Sequence, residues 1–231
     1  MSTVLFLAHE DDRDRGRANA GSLADHVAAS GHEVVIAHPS DDLPDVGSLH
    51  SVIVLGSALA AYDESVSWSG AEVAYLRSAL AADTPILGIC FGGQQLSRVL
   101  GGTVGPAPAP EVGFVTVRSD RADLVDSGPW MQMHWDRFTT PPGATTVARN
   151  PAAAQAFVHG PHLGVQFHPE ISPAVFDSWT ADWSDAKAAS LESDLGVDIA
   201  ALRRQIVDTA DENAARCGRL FDAFVGLREH V

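Results

Sequence analysis

A chain of 231 residues that is 45% hydrophobic and 19% charged is long enough to bury a sizeable core, and it has the composition of a folded globular protein. Fifteen Lys and Arg stand against 30 Asp and Glu, and the resulting charge of −15 repels phosphate backbones and anionic headgroups, so neither nucleic acid nor a membrane is an expected partner. The first residues, MSTVLFLAHEDD, lack the basic region and cleavage site of a leader, and no apolar run reaches the ~18 residues of a spanning helix. Two well-separated cysteines make no disulfide framework, so a cytoplasmic, reducing setting is expected.

In chain order, Val4–Ala8 reads as a strand, His9–Arg17 as a polar loop and Ala18–Ser30 as a helix stopped by Gly31. Strands are expected at Glu33–Ala37, Ser51–Leu55 and Pro85–Ile89, with a helix at Ala71–Ala82. The near-continuous apolar character of Pro85–Ile89 is that of a strand buried on both faces. Gly105–Pro110, three prolines alternating with alanine, reads as a stiff loop. Beyond it Val112–Arg118, Ala144–Ala148, Gln155–Val158 and Leu163–Phe167 are short strands separated by turn signals.

From Pro173 the chain turns helical, with Ile199, Leu202, Ile206, Cys217, Leu220, Phe221 and Phe224 on an apolar stripe. The expected fold is α/β: a three-layer αβα, flavodoxin-like, doubly wound and mostly parallel sheet with a small antiparallel section and a helical C-terminal tail. Residues 1–175 would form the catalytic part. Residues 176–231 would be a helical extension packed on the same domain.

Gly88-Ile89-Cys90-Phe91-Gly92-Gly93-Gln94-Gln95-Leu96 puts a cysteine where a buried strand meets a helix, between glycines two residues on either side. Such an elbow holds a nucleophile in a strained turn, and glycine allows the close approach of strand and helix. The helix N-terminus favours the thiolate. A buried core cysteine beside a phosphate loop is the plainer alternative, but the Lys-Ser/Thr ending of such a loop is missing.

Gly164-Val165-Gln166-Phe167-His168-Pro169-Glu170 runs a strand into a His-Pro-Glu turn. Residues two apart in extended chain project to one side, and the proline blocks a helix, so His168 and Glu170 can cooperate. A carboxylate on one ring nitrogen fixes the tautomer and leaves the other nitrogen for a thiol. One histidine among ten is ordinarily structural; paired with an elbow cysteine it completes a nucleophile, base and orienter.

The two segments GICFGGQQL and GVQFHPE resemble the signatures of the class I (triad-type) glutamine amidotransferases, in the same order. The loop Val54-Leu55-Gly56-Ser57 to Tyr62-Asp63, Glu111-Val112-Gly113 and Met133-His134-Trp135-Asp136 resemble further landmarks of that family. The chain is most similar to stand-alone GMP synthase-like members, since no synthetase domain follows. The resemblance implies Cys90, His168 and Glu170 as catalytic residues acting on glutamine or a γ-glutamyl compound, and an oxyanion hole from the Phe91 amide and an amide at Gly56 or Ser57. Ser57 stands where a second glycine is common. Gln94 and main chain near His134 would hold the amino-acid end of the substrate; the alternative for His134 is a packed, satisfied histidine.

No metal or organic cofactor is implied, since no cysteines or histidines have zinc-site spacing. A separate synthetase is an expected partner if the nitrogen is passed on. A free-standing γ-glutamyl peptide or amine hydrolase would use the same residues. A non-catalytic, redox-sensing or regulatory protein of the cysteine-elbow α/β group is the alternative of another class, although a sensor has no need of His-Pro-Glu. His9-Glu10-Asp11-Asp12, at a strand end, reads as a solvated acidic loop rather than a metal or amine site.

Overall fold

The computed structural model describes residues 2–230. The chain opens with β1 (Thr3–Leu7), α1 (Arg13–Asn19), α2 (Gly21–Ala29), β2 (Glu33–Ala37), β3 (Leu49–Val54), α3 (Ser69–Ala81), β4 (Ile86–Ile89) and α4 (Phe91–Val99). It continues through β5 (Val104–Ser119), β6 (Gly128–Phe138), β7 (Thr145–Arg149), β8 (Ala154–His159) and β9 (His162–Val165) to α5 (Pro173–Thr180), α6 (Asp185–Leu195), α7 (Ile199–Asp208) and α8 (Ala210–Gly226). The strands form one nine-stranded sheet in the order β2-β1-β3-β4-β9-β8-β7-β5-β6. From β2 to β9 the pairs are parallel, and from β9 outward they are antiparallel.

Alternation along the central strands distributes their side chains over two faces. Val4 and Phe6 of β1, with Ile53, Leu87 and Ile89, pack against Leu23 and Val27 of α2 and Cys217, Leu220, Phe221 and Phe224 of α8. Leu5 and Leu7, with Val52, Val54 and Ile86, pack against Leu76 and Ala79 of α3 and Leu96 of α4. Helices on both faces of this sheet give the expected three-layer α/β fold.

The apolar stripe of the tail divides between two bodies. Leu202 and Ile206 of α7 join Val175 and Phe176 of α5 over Met131 of β6, whereas the α8 residues belong to the main core. Burial pushes the Cys217 thiol pKa up, as for an inert core residue.

Several local expectations are corrected. Part of the polar loop His9–Arg17 is helical, because Asp12 caps α1 by accepting from the Asp14 and Arg15 amides at 2.9 and 3.3 Å. The single helix Ala18–Ser30 is two, broken at Gly21, whose φ of 51° favours glycine and whose Cβ would meet the Glu170 carbonyl oxygen at 2.3 Å. Gly105–Pro110 is part of β5, not a loop. Prolines at every second position remove N–H groups along one edge, and β5 pairs with β7 only at Arg118 and Ser119, so most of that edge needs no donors. β6, only its Met133–Asp136 stretch singled out above as a landmark, is β5's long ladder partner.

β9 also carries a titratable group in the core. His162 Nδ1 accepts from the Ile86 amide at 3.2 Å, and burial, aided by the neighbouring His159, lowers its pKa from 6.5 to about 4. Below pH 6.5 the unfolded chain takes up a proton that the folded one refuses until about 4, so stability falls as pH drops through that window. The loss is at most about 3 kcal/mol. His162→Asn, which keeps an acceptor but does not titrate, should show a smaller fall in urea-unfolding free energy between pH 6.5 and 4 than the wild type. Equal slopes would exclude His162 as the source.

Candidate active site

β4 ends at Ile89 and α4 begins at Phe91, so Cys90 is the junction residue and occupies φ 51°, ψ −107°. A buried non-glycine residue with positive φ costs roughly 1–3 kcal/mol and persists only where its surroundings enforce it. The enforcement is visible: the Cys90 amide donates to the Val165 carbonyl at 2.8 Å, and its carbonyl accepts from Gln94 N–H at 2.9 Å. The elbow read from the sequence is therefore present.

The chain leaves β9 through Gln166 and Phe167. Phe167 stacks on Trp130 at 4.4 Å, and the His168 amide donates to the Met131 carbonyl at 2.8 Å, which fixes the turn against β6. His168 Nδ1 then lies 2.7 Å from Glu170 Oε1, with both side chains buried. The Glu170 carbonyl is held in turn by the Ser22 amide at the start of α2. His168 Nε2 has no protein hydrogen-bond partner among the described residues. Burial alone would lower the imidazole pKa; the Glu170 carboxylate, and the negative charge Cys90 carries as a thiolate, oppose it and raise the pKa.

Gly56 marks where these groups converge: a Cβ there would lie 2.9 Å from His168 Cε1 and 3.8 Å from Cys90 Cβ. Gly56, Cys90, Gln94, His134, His168 and Glu170 line one cavity of about 620 Å³, together with Ser57. Phe91 is the first residue of α4, and neither its amide nor that of Ser57 donates to a protein acceptor among the described residues.

Gln94 and His134 meet at one group. Gln94 Nε2 donates to the Asp136 carbonyl at 3.1 Å and His134 Nδ1 donates to the same oxygen at 3.0 Å. His134 Nε2 is 3.2 Å from Glu111 Oε2 but poorly aligned for a hydrogen bond. Burial would raise the Glu111 pKa; His134, Asn150 and Gln155 lower it.

The structure adds residues the sequence did not single out. Gln166 Nε2 lies 3.7 Å from Cys90 Sγ. Trp179 of α5 packs edge-on against the His168 ring at 4.6 Å and, with Trp183 of the α5–α6 connection and Lys187 of α6, walls the cavity. The Trp183 and Lys187 side chains also meet, with Nζ 4.8 Å from the ring. The acidic loop is corrected at its first residue, since His9 is buried while Asp11 and Asp12 are exposed. No group of three or more His, Cys, Asp or Glu able to hold a metal occurs among the described residues. No helix among them is long and apolar enough to cross a membrane.

With a cysteine elbow in a mixed α/β sheet, the chain belongs to the class I glutamine amidotransferase family, whose model matches residues 13–182. It is 34% identical over 150 residues to a glutamine-hydrolyzing GMP synthase subunit of Ignicoccus hospitalis, covering 61% of this chain and 77% of that protein. The corresponding GMP synthase subunit of Sulfolobus acidocaldarius is 31% identical over 151 residues, covering 61% and 78%. Against the GMP synthase of Aeropyrum pernix the identity is 40% over 109 residues, which is 41% of this chain but only 21% of that protein. A glutamine amidotransferase structure from Thermotoga maritima superposes with a TM-score of 0.83 at 24% identity over 97% of this chain and 98% of that one, a likeness of fold.

Proposed function

We propose that this amidotransferase cleaves the side-chain amide of glutamine through a covalent thioester on Cys90 and passes the ammonia to a separate synthetase. The observation that carries the reading is a strained Cys90 sharing a cavity with a His168 whose Nε2 is unpartnered and whose Nδ1 is held by Glu170. His168 takes the thiol proton, and Cys90 Sγ attacks the γ-carbonyl. The oxyanion is received by the amides of Phe91 and of the Gly56–Ser57 loop, each worth about 3 kcal/mol in the transition state. His168 returns the proton to the departing nitrogen, ammonia leaves, and water hydrolyses the thioester with His168 as base. Gln94 and main chain near His134 hold the amino-acid end. Two relatives named as subunits of GMP synthase support a separate synthetase as acceptor.

The cavity size favours a second reading at the same atoms. At about 620 Å³ it exceeds what glutamine would fill, and Trp179 and Trp183 leave room for a larger amine, as a γ-glutamyl amine hydrolase requires. The test is ammonia release from glutamine and amine release from a panel of γ-glutamyl amides, with and without an added synthetase. Ammonia release stimulated by the synthetase supports the first reading, and preference for substituted amides supports the second. Turnover of neither class would refute both.

Glu170 makes a separate prediction. In Glu170→Gln the side-chain amide can donate to Nδ1, which turns Nε2 into a protonated nitrogen unable to take the thiol proton. Turnover should fall on the order of 10²–10⁴-fold with an unchanged circular dichroism spectrum. An unchanged rate would remove Glu170 from the mechanism.

A further inference from the structure

Two residues beyond the end of β1 stands a buried histidine that no step above uses. His9 Nδ1 lies 2.9 Å from the Gly56 carbonyl oxygen, and Nε2 lies 2.7 Å from Glu72 Oε1. The His9 side chain is 1% exposed and that of Glu72 is fully buried. A carbonyl only accepts, so Nδ1 carries a proton and donates to Gly56, while Nε2 and Glu72 Oε1 share a proton across 2.7 Å. His9 and Glu72 thus form a buried histidine–carboxyl pair. Burial would lower its pKa, but the carboxylate outweighs burial and raises it.

The other Glu72 oxygen accepts from Gln95 of α4 at 3.1 Å. The His9 ring also stacks on Trp68 at 5.0 Å and meets Phe91 edge-on at 4.7 Å. It therefore touches both places assigned to the oxyanion donors, the Gly56–Ser57 loop and the first residue of α4. In a trans peptide the carbonyl and the amide N–H point in opposite directions. Fixing the Gly56 oxygen therefore fixes the Ser57 N–H on the far side of the same plane. Buried ion pairs are seldom better for stability than apolar residues of the same shape, so stability alone is a weak reason for this one.

We propose that His9, held by Glu72, is a positioning residue that locks the Gly56–Ser57 peptide so that the Ser57 amide is aimed at the oxyanion. The inference rests on the thioester reading. Its effect belongs to the acyl-transfer transition state and not to thiol reactivity in general.

The test compares two variants, because His9→Ala would strand the Glu72 carboxylate and risk the fold. In His9→Gln the amide nitrogen reaches the position of Nε2 and satisfies Glu72, but nothing holds the Gly56 oxygen. In His9→Asn combined with Glu72→Gln the amide nitrogen takes the place of Nδ1 and keeps that hold. The expected result is a kcat lowered on the order of 10–100-fold in His9→Gln with little change in KM, and largely restored in the double variant. Alkylation of Cys90 by iodoacetamide passes through no oxyanion and should proceed at the wild-type rate in both.

Wild-type kcat in His9→Gln would overturn the proposal, as would an equal kcat loss in both variants or a parallel loss of alkylation, either of which marks ring packing alone. A wild type whose γ-glutamyl turnover survives loss of Cys90 would refute the thioester reading itself, and this proposal with it.

Discussion

Replacing Cys90 with alanine is expected to abolish release of ammonia or amine, a loss on the order of 10⁴-fold or more, while leaving the protein folded. The expected loss is large because in the proposed mechanism the Cys90 sulfur becomes bonded to the acyl group, and His168, Glu170 and the amides at Phe91 and Ser57 would all act on that bond. The fold should survive because the substitution removes one sulfur and keeps a Cβ at the same positive φ, and the main-chain bonds to Val165 and Gln94 stay in place. Thermal unfolding monitored by circular dichroism separates the two effects. Undiminished turnover in a folded Cys90→Ala protein would eliminate the thioester. Iodoacetamide labelling of the variant should also leave the peptide spanning Gly88–Gln94 unmodified.

Gly92→Ala should damage the protein in the opposite way, through the fold. A Cβ at Gly92 would sit 2.0 Å from the Val54 carbonyl oxygen and 2.7 Å from Val54 Cβ, so α4 must retreat from β3 by more than side-chain adjustment allows. The nearer of these atoms is main chain in the middle of the sheet. The expected cost is about 3 kcal/mol or more, a large share of a domain's stability. Any protein that folds should carry a displaced Phe91 amide and reduced turnover. Gly70→Ala is the internal comparison: nothing lies within 4 Å of its added Cβ, and alanine suits a helix better. Gly70→Ala should match or slightly exceed wild-type stability in urea titrations. If Gly92→Ala did the same, the close approach of α4 to β3 would be wrong.

The central parallel strands β1, β3 and β4 are readable because they are largely buried on both faces and therefore spell apolar runs such as Ile86–Ile89. The elements that escaped lack that signature. Helix α1, RDRGRAN, is charged with a glycine inside, and it forms because Asp12 caps it and α5 lies alongside. Strand β5 starts with alternating prolines that only its sparsely paired edge tolerates.

The site divides the same way. Cys90 at an elbow and His168 with Glu170 two residues on are local patterns, whose meaning survives in the sequence. Gln166, Trp179 and Trp183 acquire theirs from the way β9 and α5 come together at the cavity, and His9 meets Glu72 across 63 positions of chain. No spacing rule connects such pairs. The acidic neighbours of His9 made it look solvated, when the strand before it and Trp68 above it bury the ring.

Mass spectrometry of the enzyme quenched in acid during turnover of glutamine tests the central claim most directly. The account predicts a γ-glutamyl adduct on the peptide containing Cys90, labile to hydroxylamine and absent from Cys90→Ala. Steady turnover with no adduct on that peptide, and with release undiminished in Cys90→Ala, would contradict it.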